Sequence, residues 1–197
     1  MQSRYVRTLI NAGFTLLELL CVLALLGALA ATAAPAMRDW LARDQVEMQA
    51  QALLATLAYA RGEAIRRAIR VTLCRDDGYG RCCANHKPLS TMGLNNWARG
   101  YLVLAELPPC LTEPSRAQIL SMQPPMEAVT IQSVSAPLSF TPPAGQIIGG
   151  FRSFEIGART TALGPYGVRA YRCVRVAAGG RSRIFNGPCA AAPHSRF

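Results

Sequence analysis

Hydrophobic and polar positions divide the chain into three regimes. From Phe14 to Ala34 nearly every position is apolar, and Glu18 carries the only charge. At about 1.5 Å rise per residue, these 21 residues match a hydrocarbon core about 30 Å thick, which predicts a membrane-spanning helix. Pro35 follows, and its missing N–H and its ring would kink a helix that continues through it. From Asp39 to about Arg70 the chain is rich in Ala, Leu, Gln, Glu and Arg, with no proline and a single glycine, Gly62. That is a helix composition. Leu53, Leu57, Ala60, Ala64 and Ala68 recur at three- and four-residue steps and predict one apolar stripe for a sheet to cover, while Arg43, Asp44, Glu47, Glu63, Arg66, Arg67 and Arg70 keep the other faces polar.

From Val71 the period shortens. Six β-type runs, 71–74, 101–107, 129–134, 151–156, 168–176 and 183–185, are punctuated by Pro108-Pro109, Pro124-Pro125, Pro142-Pro143, Gly149-Gly150 and Gly179-Gly180. No crossover helix remains between them, which favours antiparallel pairing over a parallel βαβ arrangement. The pattern predicts an α+β fold: a long N-terminal α-helix, membrane-spanning in its first half, packed on an antiparallel β-sheet or small β-sandwich. The 127 residues from Val71 onward suffice for one modest core.

Glu18 stands out against this frame. An ionised side chain in hydrocarbon costs roughly 3 kcal/mol on insertion scales, so an acid near the start of a membrane helix marks a functional site with a partner to be found. Arg4 and Arg7 precede the apolar run, and the positive-inside tendency keeps that end cytoplasmic and sends the remainder into the periplasm. Cysteine usage agrees with an oxidising compartment: Cys21 lies in the apolar run, and Cys74, Cys82, Cys83, Cys110, Cys173 and Cys189 lie beyond it. Local spacing suggests Cys74 with Cys82 or Cys83, Cys173 with Cys189, and Cys110 with whichever of the adjacent pair is left. Zinc at Cys82, Cys83 and His86 is disfavoured, because a vicinal Cys pair cannot easily supply tetrahedral geometry.

The hexad Gly13-Phe14-Thr15-Leu16-Leu17-Glu18 behind its short basic leader resembles the processing site of type IV prepilins and of the pseudopilins of type II secretion. An ordinary secretory signal would place its cleavage site after the apolar region instead. The resemblance implies that a prepilin peptidase cuts after Gly13 and methylates the new N-terminus on Phe14. It also implies that Glu18 neutralises the Phe14 amine of a neighbouring subunit, relieving the desolvation cost of both charges. The chain then divides into a leader, 1–13; a transmembrane and assembly helix, 14–34; its amphipathic continuation, 35–70; and a periplasmic β-rich domain, 71–197. A proline at position 35 is typical of filament-forming pilins. Its partners would be the peptidase, other major or minor pilins or pseudopilins through the N-terminal helix, and the inner membrane, in which it is a single-pass protein before entering a filament.

Further along, Ala60-Arg61-Gly62-Glu63-Ala64-Ile65-Arg66-Arg67 before Val71-Thr72-Leu73-Cys74 resembles the helix-to-strand junction of the family that joins FimT-type minor pilins with GspH-type pseudopilins. Trp97 with Gly100-Tyr101, then Phe140-Thr141-Pro142-Pro143-Ala144-Gly145, then Gly180-Arg181-Ser182-Arg183 continue it in order. Cys21, the tandem Cys82-Cys83 and the loop 110–126 depart from it. The resemblance implies a low-abundance subunit that primes a filament or sits near its tip. In FimT-like pilins the Gly-Arg-x-Arg motif, here Gly180, Arg181 and Arg183, is associated with DNA capture in natural transformation. A GspH-type pseudopilin of a type II secretion system is the alternative.

Charge bears on that choice. The formal net charge is +10, and two of those charges leave with the leader. No acidic residue follows Glu155, whereas Arg159, Arg169, Arg172, Arg175, Arg181, Arg183 and Arg196 do. Such a block attracts polyanions such as anionic lipid or nucleic acid, double-stranded DNA among them, although charge alone favours a solvated basic face that merely keeps the protein soluble. Two arginines at i and i+2 of an extended segment share a face, each able to fork onto phosphate oxygens, and an adjacent glycine would let the backbone approach closely. With only Tyr171 and Phe185 nearby no aromatic stacking platform is evident, which disfavours single-strand base recognition. A hairpin turn with solvated flanks, or contacts to an adjacent pilin, would use the same arginines. Enzymatic function is disfavoured: His86 and His194 are the only neutral-pH bases, with no nucleophile setting, Gly-rich phosphate loop or carboxylate pair. No cofactor or metal is implied.

Overall fold

The structure, a computed structural model, describes residues 15–76, 96–105, 118–133, 137–159 and 170–189. It divides into two compact units, Met1–Arg38 and Asp39–Phe197. One long helix, α1 (Leu16–Arg67), runs through both and is continuous through position 35.

In the first unit every described side chain from Thr15 to Ala34 is exposed, including Leu16, Leu20, Leu23, Leu26 and Leu29. By length and composition the helix can cross a membrane.

In the second unit α1 turns amphipathic. Val46, Ala50, Leu53, Leu57, Ala60 and Ala64 are fully buried, at alternating four- and three-residue steps. The stripe thus begins two positions earlier in the pattern than Leu53. It also ends earlier than expected: Ala68 is exposed, beyond the last helical residue, with φ 54. The chain must leave the helix axis to enter the first strand, and a left-handed residue just past the helix is the usual way to do so. Glycine would make that turn without the Cβ crowding that an alanine meets there, about 1–2 kcal/mol.

Among the described residues nine strands follow, all antiparallel: β1 (Val71–Arg75), β2 (Tyr101–Ala105), β3 (Gln118–Gln123), β4 (Val129–Gln132), β5 (Leu138–Thr141), β6 (Gln146–Ile147), β7 (Arg152–Ala158), β8 (Tyr171–Val176) and β9 (Ser182–Asn186). They form a five-stranded sheet in the order β3-β2-β1-β5-β6 and a four-stranded sheet in the order β4-β7-β8-β9. The α1 stripe, Val71, Leu73, Tyr101, Val103, Leu138 and Phe140 of the first sheet, and Val129, Ile131, Phe154, Ile156, Val174 and Val176 of the second make one core. Trp97, fully buried in a short 3-10 turn (Trp97–Arg99), meets Phe154 edge-on with ring centroids 5.2 Å apart. Alternate residues of β1 and β2 point the other way, where Cys74, Leu102 and Leu104 form a second buried cluster.

The helix-to-strand junction is fixed by ions. Glu63, almost buried, accepts from Arg66 Nε and Nη2 at 3.0 and 2.8 Å and from Arg67 Nε. These bonds, led by Arg66, lower the Glu63 carboxyl from 4.5 to about 2. Because the folded value lies below the unfolded one, the stabilisation is present above about pH 4.5 and is lost as pH falls through about 2. Glu63→Gln is therefore expected to melt below the wild type at neutral pH, with the gap closing over that window; thermal melts at stepped pH test it, and a gap independent of pH would mean the ion pairs contribute nothing.

Candidate functional site

Three sequence segments far apart in the chain meet at one end of the second unit. Arg61 of α1 donates from Nε to the Gly145 carbonyl at 3.2 Å and from Nη2 to the Ala144 carbonyl at 3.1 Å. Gly145 closes the turn between β5 and β6, with its N–H on Thr141 O at 2.9 Å. Against this turn lies the β8–β9 hairpin, where Gly180 N–H donates to Ala177 O at 2.8 Å and Ala177 N–H to Arg181 O at 2.9 Å. Ile147 N–H reaches across to Ala178 O at 3.0 Å and ties the two turns together.

Gly180 is buried at this contact with φ +77, and a Cβ there would stand 1.9 Å from the Gly145 carbonyl oxygen. Gly145, with φ +66, has no more room, since its Cβ would fall 2.6 Å from the Arg61 side chain. The glycine of Gly-Arg-x-Arg therefore does not open the backbone to a ligand, the role expected from sequence. It lets two turns touch beneath a helix arginine.

What the hairpin presents outward is the arginine pair. Arg181 and Arg183 are exposed, while Ser182 and Ile184 between and beyond them turn inward. The alternation is that of a strand with one face covered. Among the described residues β9 is an edge of its sheet. Its register sets Arg183 directly opposite Arg175 of β8. Arg175 donates from Nη2 to the Cys189 carbonyl at 2.8 Å, and its guanidinium lies 5.1 Å from the centre of the Phe185 ring. Arg172 is committed to Glu47 of α1, whose carboxyl is lowered by the hydrogen bond from Gln51 and then by this ion pair. Arg159 donates to the Glu127 carbonyl at 3.3 Å. Of the C-terminal arginines among the described residues, Arg181 and Arg183 are thus the pair whose guanidinium groups have no hydrogen bond or ion pair there.

Cys173 and Cys189 are disulfide-bonded, with Cα atoms 5.0 Å apart, and Cys189 N–H donates to Glu155 at 2.8 Å. Cys74 is also disulfide-bonded. Its partner, Cys82, Cys83, Cys110 and the zinc candidate His86 lie outside the described residues, as do Gly13, Phe14 and His194. Glu18 occupies the first turn of α1, where its backbone N–H donates to Thr15 Oγ1 at 3.2 Å. Thr15 is thus an N-cap, and the carboxylate stands at the positive end of the helix dipole.

Sequence reasoning names Arg61 only in the junction motif and Arg175 only in the basic block, and it sees no stacking platform in Phe185; the structure brings all three to the site. The last two were within reach, because a hairpin centred on Gly179 pairs 175 with 183 and puts 185 in line with 181 and 183. Arg61 carries no such local signal.

Residues 49–180 match the family described as type II transport protein GspH, and residues 10–34 match the prokaryotic N-terminal methylation motif. Arg181 and Arg183 lie just past the first match. The crystal structure of the type IV minor pilin FimU of Pseudomonas aeruginosa (strain PAO1) is similar in fold, with TM-score 0.46 and 21% identity over 77% of this chain and 99% of that one. A second crystal form gives TM-score 0.46 and 21% identity over 79% and 97%. No curated protein matches the sequence.

Gly180→Ala is expected to destabilise the domain by about 2–3 kcal/mol, since a left-handed backbone and a filled contact must both yield. Gly179→Ala, which meets nothing within 4 Å, should change stability by no more than about 1 kcal/mol. Denaturant titration of both variants measures the difference, and equal effects would dissolve the contact's importance.

Proposed function

The chain belongs to the family of the type II transport protein GspH, minor pilins and pseudopilins, and from that premise we propose that it is a FimT-type minor type IV pilin that supports pilus assembly and captures DNA through Arg181 and Arg183. The observation that carries the DNA reading is the exposed arginine pair on the edge hairpin, in a stretch with no acidic residue after Glu155. Two guanidinium groups in line can each fork onto a phosphate. Binding of this kind is sequence-independent and driven largely by counterion release, so it weakens steeply with salt.

The family is one of structural subunits, and the apolar start of α1 with the methylation motif supports membrane anchoring followed by incorporation into a filament. In this reading the prepilin peptidase cuts after Gly13, Phe14 becomes the methylated N-terminus, and Glu18 pairs with the Phe14 amine of a neighbouring subunit. The domain from Val71 onward faces the periplasm. Capping by Thr15 favours a carboxylate at this place, since it holds the first turn around Glu18. A pseudopilin of type II secretion is the second reading, favoured by the family description itself. The arginine pair weighs the other way, because pushing folded proteins outward calls for no polyanion affinity.

Two measurements test the proposal. In a salt titration of duplex DNA binding, Arg181→Ala with Arg183→Ala should lower affinity and flatten the slope of log K against log salt by about 1.8, the loss of two phosphate contacts; an unchanged slope would move the site elsewhere. Glu18→Ala should leave cleavage after Gly13 intact yet reduce the subunit recovered in sheared filaments, and full recovery would remove the pairing role.

A further inference from the structure

The outward row on β9 does not stop at the arginines. Arg181, Arg183 and Phe185 alternate with inward residues, and Phe185 is 41% exposed. Residues two apart in a strand lie on one face about 6.8 Å from each other, so an aromatic ring continues the line of guanidinium groups along the sheet edge. A lone exposed phenylalanine means little. This one is held from behind.

Its cross-strand partner is Cys173, and the Arg175 guanidinium lies against it. Arg175 is fixed in turn by the Cys189 carbonyl, and Cys189 by its disulfide and by Glu155. The ring is thus backed by a cation held by Cys189, which is itself tied to the sheet by its disulfide and by Glu155, and part of the ring is open to solvent.

A ligand matching that row must repeat negative charge and flat apolar faces along one chain. Single-stranded DNA does: its phosphates meet the arginines, and an unpaired base can lie on the ring. Duplex DNA satisfies only the first demand, because its bases are already stacked at about 3.4 Å per step and offer no open face without unstacking. We infer that Phe185 is a base-stacking platform at the end of the Arg181–Arg183 row, which makes single-stranded DNA the preferred ligand of this edge. This rests on the polyanion reading above and adds to it the class of nucleic acid. Stacking on a phenylalanine face is tolerant of base identity, so the preference is for strandedness and not for sequence. The Arg175 cation behind the ring holds its plane in place.

The test is fluorescence anisotropy with the full processed chain in detergent, at one salt concentration, using oligo-dT of about 12 nucleotides and an oligonucleotide of equal length that is abasic throughout. The wild type should bind oligo-dT about 5- to 150-fold more tightly than the abasic strand. Phe185→Ala should erase that ratio while leaving abasic affinity unchanged, and Phe185→Tyr should preserve it. Equal wild-type affinity for the two strands overturns the stacking platform even if the variant fails to fold, as does a ratio that survives in Phe185→Ala. Loss of both affinities in Arg181→Ala with Arg183→Ala upholds the arginine reading whatever Phe185 does. If the wild type binds neither strand, both inferences fall.

Discussion

The close approach of Gly180 to the Gly145 carbonyl under Arg61 is the constraint on which the rest of the domain depends. Sheets that share a core are held by apolar burial, which has no direction and tolerates sliding. A backbone contact with no room for a Cβ has direction and sets register. Here it locks the β5–β6 turn of one sheet to the β8–β9 turn of the other, and Arg61 fastens the first of these turns to the helix. The exposed arginines follow directly after Gly180, so their position is set by that contact.

The arginines of β8 and β9 divide their labour accordingly. Arg172 faces α1 and pairs with Glu47; Arg175 is tied to Cys189 and lies against Phe185; Arg181 and Arg183 point away. Composition alone shows only an excess of positive charge. Alternation along a paired strand sorts that charge into structural and available parts, and the available part lies on an edge strand where an extended partner can reach it.

The helix and its stripe were legible because burial repeats at 3.6 residues: Leu53, Leu57, Ala60 and Ala64 fall on it, and Val46 and Ala50 extend it. Ala68 fits the same period but fails, since periodicity does not say where a helix stops and no glycine marks the end. Strands β1, β2, β4, β7, β8 and β9 lie within or beside the expected runs. β3 was missed because Gln118 to Gln123 is largely exposed on both faces and has no alternation to find. β5 and β6 are four and two residues long, too short for a period to show. Of the candidate site, the arginine face was readable from i and i+2 spacing. The burial of Gly180 was not, because its reason lies 35 positions away at Gly145.

An edge strand ordinarily offers its unpaired backbone to another copy of itself, and a subunit held among identical or related neighbours meets that hazard constantly. If β9 added antiparallel to the β9 of a second copy, pairing about Arg183 would set that residue against its own counterpart and pairing about Ser182 would set Arg181 against Arg183, and like charges across a strand pair repel. The same side chains that face outward on this hairpin thus disfavour those registers of sheet-to-sheet self-association.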